Sequence, residues 1–153
     1  MRQRAIGYIE AVVAAAVLGI GLAAGLTAYG AFAQGVAADR ETAIATELAA
    51  QLAAEIRTKA FEDPVAPIFG PESGENDGTR LQFDDVDDYD GWSASPPKLR
   101  DGTALTEFAG FRQQVSVTND LVRGWKLITV TISKGSKKRA ELMLARTRHD
   151  ADQ

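Results

Sequence analysis

The chain contains no cysteine. That excludes disulfide staples, thiol nucleophiles and Cys-ligated zinc. Histidine is almost as scarce: His149 stands alone, close to a polar end. A frayed tail rarely positions a catalytic group, so His149 reads as inert. No phosphate-cradling glycine loop and no metal-ligand spacing occurs. Carboxylates are plentiful, but none are paired at an acid/base spacing, and an enzyme is not expected. Positive charge is in deficit, with 17 Lys and Arg against 21 Asp and Glu, a net of −4. Nucleic acid is therefore not an expected partner.

Charge is also missing from one long stretch. Between Ala11 and Ala33 there is no Asp, Glu, Lys, Arg or His. About 20 apolar residues at 1.5 Å rise cross a hydrocarbon core of roughly 30 Å, so this stretch is long enough to span a bilayer. A basic leader with Arg2 and Arg4 precedes it, and Glu10 stands at its mouth. A charge at the bilayer centre costs roughly 2.5–3.5 kcal/mol on insertion scales, which calls for a partner. Gly21 and Gly25 have the small-xxx-small spacing that lets helices approach closely, although glycine is also tolerated in a plain anchor. By the positive-inside rule, Arg2 and Arg4 place the N-terminus in the cytoplasm and the rest outside. A secretory signal peptide with a small-x-small site at Ala31-Phe32-Ala33 is the competing reading. The length of the apolar run, Glu10 at its start and the helical sequence beyond Ala33 weigh against it.

Arg4-Ala5-Ile6-Gly7-Tyr8-Ile9-Glu10 resembles the processing site of type IV pilins and type II secretion pseudopilins. The resemblance implies cleavage by a prepilin peptidase between Ala5 and Ile6 and N-methylation of Ile6. Ala5 stands where the family usually has Gly, and Ile6 where it has Phe or Met. A rival register cuts after Gly7 and leaves Glu10 at the third mature position instead of the fifth. The resemblance also implies that Glu10 neutralises the Ile6 amine of a neighbouring subunit. The other partners it implies are an inner-membrane assembly platform and the lipid bilayer. Loss of residues 1–5 would take the net charge to −6, since Lys and Arg fall from 17 to 15.

The helical pattern continues beyond the apolar run. Ile44, Leu48, Leu52 and Ile56 recur every fourth residue, flanked by Ala45 and Ala49, which forms one apolar stripe. Glu55 and Lys59 are spaced as an i,i+4 ion pair. Pro64 is expected to end the helix just after Phe61.

Residues 62–102 read as an acidic irregular region rich in proline and glycine. Its centre carries Asp84, Asp85, Asp87, Asp88 and Asp90. Crowded carboxylates suit Ca²⁺, but the run lacks EF-hand spacing and the closing Glu. The favoured reading is a solvated loop pinned by Phe83, Tyr89 and Trp92, with a turn at Asp90-Gly91. Phe69-Gly70-Pro71-Glu72-Ser73-Gly74-Glu75, the Asp run and Ser93-Ala94-Ser95-Pro96-Pro97 resemble minor pilins, in particular the D type of the mannose-sensitive haemagglutinin pilus.

Residues 103–148 alternate in character. Phe111, Gln113, Val115 and Val117, then Ile128, Val130 and Ile132, then Ala140, Leu142 and Leu144 each alternate with polar neighbours, the mark of half-buried strands. An antiparallel meander of three to four strands needs a cover, and the stripe supplies one. The expected fold is α+β: a long N-terminal helix packed on a small antiparallel sheet. The expected segments are a leader 1–5, a membrane or filament-core helix 6–33, its amphipathic continuation 34–61, the acidic region 62–102, the meander 103–148 and a polar tail 149–153. Lys134, Lys137, Lys138 and Arg139 form a basic hairpin tip that docks on a neighbouring acidic loop or guards the edge against pairing. The functional expectation is a minor pilin or pseudopilin, inserted in the bacterial inner membrane and then built into a pilus or pseudopilus. The alternative is a single-pass anchored binding or sensory domain that does not polymerise.

Overall fold

The computed structural model describes residues 2–63, 68–75, 77–120 and 123–148, with side chains from Gly7 onward. Helix α1 runs Arg2–Arg57. Four strands follow: β1 Ser93–Ala94, β2 Phe111–Asp120, β3 Trp125–Lys134 and β4 Lys137–Thr147. Single-turn 3₁₀ helices lie at Asp87–Tyr89 and Thr106–Phe108. The strands form one antiparallel sheet in the order β1-β2-β3-β4. The chain divides into two compact units, one ending at Arg40 and one starting at Glu41.

The first unit is helix alone. Its large apolar side chains, among them Val12, Leu18, Ile20, Leu22, Leu26 and Phe32, are more than half exposed. Thr27 lies in this apolar stretch, and its hydroxyl donates to the Ala23 carbonyl at 2.9 Å, so it asks nothing of the surroundings.

The second unit is an α+β domain. The rest of α1 covers the sheet with Ala45, Leu48, Ala49, Leu52, Ala53 and Ile56, which meet Val115, Val117, Ile128, Val130, Ile132 and Leu144 in one core. This face is centred slightly off the stripe expected from the sequence. A fourth-residue step advances roughly 40° around the helix, so the 44-48-52-56 row winds away from the face. Ile44 is accordingly only partly buried, while Ala53 joins the core.

The helix ends at Arg57, four residues short of the expected Phe61. Thr58 and Lys59 donate back to the Glu55 and Ile56 carbonyls, both at 3.1 Å, in a tightened last turn. Arg146 from β4 caps the Arg57 carbonyl at 2.8 Å. Ala60 is then drawn into a parallel bridge with Asp85, donating to Asp84 O and accepting from Val86, both at 3.1 Å. Pro64 lies outside the described residues, as do His149 and the rest of the polar tail.

Burial alternates along β2 and β3 as the sequence pattern predicts. β3 and β4 are joined through Gly135, whose φ of +58° is the left-handed conformation that a two-residue hairpin loop demands. Glu41 holds this hairpin down, receiving Lys134 at 2.7 Å and Arg139 at 2.5 Å.

Leu52→Ala removes side-chain volume from the seam between helix and sheet. It should destabilise the domain by about 2–5 kcal/mol. Met143→Ala on the exposed sheet face should change stability by less than about 0.5 kcal/mol. Urea unfolding in detergent, followed by tryptophan fluorescence, measures both.

Candidate assembly surface and buried polar knot

Two features stand out as candidates for function. The first is the helix surface. Within the span Gly7–Arg57 an 18-residue window reaches a mean hydropathy of 2.2 with none of it buried, so α1 is long and apolar enough to cross a membrane. Glu10 is exposed on this helix, and no other charged residue occurs between Gly7 and Ala38. Gly21 and Gly25 share a face, and a Cβ at either would meet nothing within 4 Å. No contact among the described residues requires their small size. The side chains of Ala5 and Ile6, the expected cleavage site, lie outside the described residues.

The second feature is the acidic segment, and here the structure corrects the expectation of a solvated loop. Asp85, Asp87 and Asp88 are buried, at 1%, 4% and 2% exposure. The reason is local. This segment lacks long ladders to satisfy its backbone, and its carboxylates supply the missing acceptors. Asp85 Oδ1 accepts the Asp87 and Asp88 N–H groups at 2.5 and 3.2 Å. Asp88 Oδ2 accepts those of Asp84 and Asp85 at 2.8 and 3.1 Å. Asp90 Oδ1 accepts the Val117 N–H at 2.8 Å, which closes part of the outer edge of β2. Asp87 Oδ2 pairs with Lys126 Nζ at 2.6 Å. Phe83 packs edge-on against both Tyr89 and Trp92, as the pinning aromatics of the sequence reading should.

The five aspartates therefore do not converge on a cation. Asp84 is exposed, and the other four are engaged with backbone or with Lys126. The structure instead brings Glu72, Glu75 and Asp88 together, with their oxygens within 4.8 Å of one another. Three carboxylates supply part of the six to eight oxygens that Ca²⁺ takes. Burial, followed by the Glu72 carboxylate, raises the pKa of Glu75.

Two buried cations escaped the sequence reading. Lys126, fully buried, donates to the Phe61 carbonyl as well as to Asp87, and its ammonium sits 4.4 Å from the Phe61 ring centre. It has the same strand parity as Ile128, Val130 and Ile132, and that signal could have found it. Arg80 clamps Glu55 in a two-pronged pair, both contacts at 2.9 Å, and lies 4.8 Å from the Trp92 ring centre. The Tyr89 hydroxyl also donates to Glu55, at 2.8 Å. The expected Glu55–Lys59 pair does not form. Lys59 lies beyond the helix end, where the i,i+4 geometry is lost, and its ammonium donates to the Phe83 carbonyl. Burial pushes Glu55 up, but the Arg80 hydrogen bond and charge hold its pKa below the ordinary value. Burial, then the Glu55 charge, drives the Tyr89 phenol well above its usual range.

Fold and site together define an α+β domain whose irregular segment is stitched to the end of its long helix by buried charge. Comparison with models of known protein families, with curated proteins and with solved structures finds no match.

Two outcomes follow from the knot. Lys126→Met leaves Asp87 charged and buried without its partner, and should cost about 3–5 kcal/mol. Adding Asp87→Leu should recover part of that loss, which denaturant unfolding of the single and double variants would measure. Asp85 provides a pH signature. Burial first, then the charges of Asp88 and Asp87, raise its pKa to about 6 from 3.8. The folded state thus holds the Asp85 proton more tightly than the unfolded chain does. Its contribution is full below about pH 4 and is lost as pH rises through about 6. Asp85→Asn keeps an acceptor for the backbone and cannot ionise. Between pH 4 and 7 the wild type should therefore lose on the order of 2–3 kcal/mol relative to this variant. A constant difference across that window would contradict the assignment.

Proposed function

We propose that this chain is a minor pilin or pseudopilin, a structural subunit that polymerises through its N-terminal helix and does no catalysis. The observation that carries the reading is the single charge, Glu10, on an exposed apolar helix that continues into the cover of an antiparallel sheet. A helix whose large apolar side chains are exposed among the described residues favours lipid or other copies. In the bilayer of the inner membrane, α1 is a single-pass anchor with the leader in the cytoplasm and the α+β domain outside. A prepilin peptidase cuts after Ala5 and methylates Ile6, and an assembly platform then extracts the subunit into a filament.

Glu10 has two positions to satisfy. Before assembly it lies near the interface, where a carboxylate is cheap. In a packed helical core it is desolvated, and the Ile6 amine of the next copy is the cation that makes this tolerable. The pair fixes axial register, because an offset copy buries both charges alone. Gly21 and Gly25 provide the face on which backbones approach closely.

Glu10→Ala should insert normally and be processed, but its incorporation into sheared, pelleted filaments should fall at least tenfold. Wild-type incorporation of this variant would remove Glu10 from the assembly role. A chain that stays in the membrane and never enters a filament would instead mark an anchored binding or sensory domain.

A further inference from the structure

We infer that the β3–β4 hairpin tip of one copy docks its lysines into an acidic, aromatic-walled cavity beside β1 of a second copy, an inference that rests on the assembly reading above. The cavity, of about 340 Å³, is lined by Phe83, Asp88, Asp90, Trp92, Ser93 and Lys98, among others. Its volume falls in the range of recognition pockets, roughly 300–1,000 Å³. Pro71 joins it to an open depression of about 440 Å³ that carries Glu72 and Asp77. Carboxylates thus outnumber the one cation lining these hollows, Lys98, whose ammonium already donates to the Gly78 carbonyl at 3.3 Å. Carboxylates beside aromatic rings favour a cation, through charge and through the ring quadrupole together.

The complement exists on the same molecule but out of its own reach. Lys137 and Lys138 are exposed at the start of β4. Lys134 and Arg139 are held by Glu41, which steadies the tip and leaves the other two facing outward. Lys138 pairs with Glu141 on the surface, at 2.8 Å. Exposed pairs of this kind are worth about 0–1 kcal/mol and exchange readily. Asp90 meets the sheet at Val117, whose register partner is Ile128, six residues along β3 from Lys134. At about 3.3 Å per residue the axial offset is roughly 20 Å for Asp90 and roughly 10 Å for Ser93, whose partner Gln114 lies opposite Thr131. The cavity lies against β1 and the tip belongs to β3 and β4, so they occupy opposite edges of the sheet. A tip that cannot reach its own cavity can fill a neighbour's. A contact between two different surfaces repeats head to tail, and unless its rotation closes a ring it generates a helical filament.

Absence of native cysteine makes the test clean. Ser93→Cys and Lys137→Cys chains are co-expressed in the native host, and sheared filaments are treated with a short bis-maleimide. The expected result is a crosslinked dimer from the mixture and from neither variant alone. Adding Lys138→Glu to the tip variant should cut its yield at least fivefold. Filaments that incorporate both variants without crosslinking would overturn this inference and leave the filament reading standing. Crosslinking that ignores Lys138→Glu would overturn the electrostatic basis of the contact. If the cysteine-free chain never enters filaments, the assembly reading fails and this inference fails with it.

Discussion

The seam between α1 and the sheet is the contact on which the rest depends. Ala45, Leu48, Ala49, Leu52, Ala53 and Ile56 are the face that α1 contributes to the core of the second unit. The four-stranded sheet is apolar on one face, and that face must be buried against another element. The small alanines let the helix lie close, and the leucines and isoleucines fill the gaps between Val115, Ile128, Val130 and Ile132. Because this helix is the same element that carries the apolar surface up to Val36, the α+β domain and the membrane-length segment share one backbone.

Around the C-terminal end of the helix, charge does the work that regular structure does elsewhere. Between Arg57 and β1 the described chain has only a bridge and one 3₁₀ turn. Four aspartates and three cations satisfy it instead: Asp85 and Asp88 on backbone amides, Asp90 on β2, Asp87 on Lys126, Arg80 on Glu55, and Lys59 on Phe83. Each buried ion is costly alone and acceptable when paired and fully hydrogen-bonded. The arrangement specifies one placement of an irregular segment, since a shift of a single residue would strand several charges at once.

The two periodic layers were legible in the sequence. Period two marked β2, β3 and β4, and the Ala-Leu-Ile spacing marked the helix face, because both patterns are local consequences of backbone geometry. The knot was not legible, and the reason is sequence distance. Arg80 finds Glu55 across 25 residues and Lys126 finds Asp87 across 39. No local rule joins such pairs. Five aspartates close together look solvent-bound when their acceptor role toward backbone N–H groups is out of view. Lys126 is the intermediate case: strand parity pointed it inward, and only its charge argued otherwise.

The central claim is that Ile6 becomes a free, methylated terminus for Glu10 to neutralise. Mass spectrometry of the N-terminal peptide, taken from the protein in its own host, tests it most directly. The account predicts an N-methylated peptide that begins at Ile6. A start at Tyr8 would keep the processing and break the register with Glu10. An intact Met1, or a start near Gln34, would contradict the account, the first in favour of a plain anchor and the second in favour of a released domain.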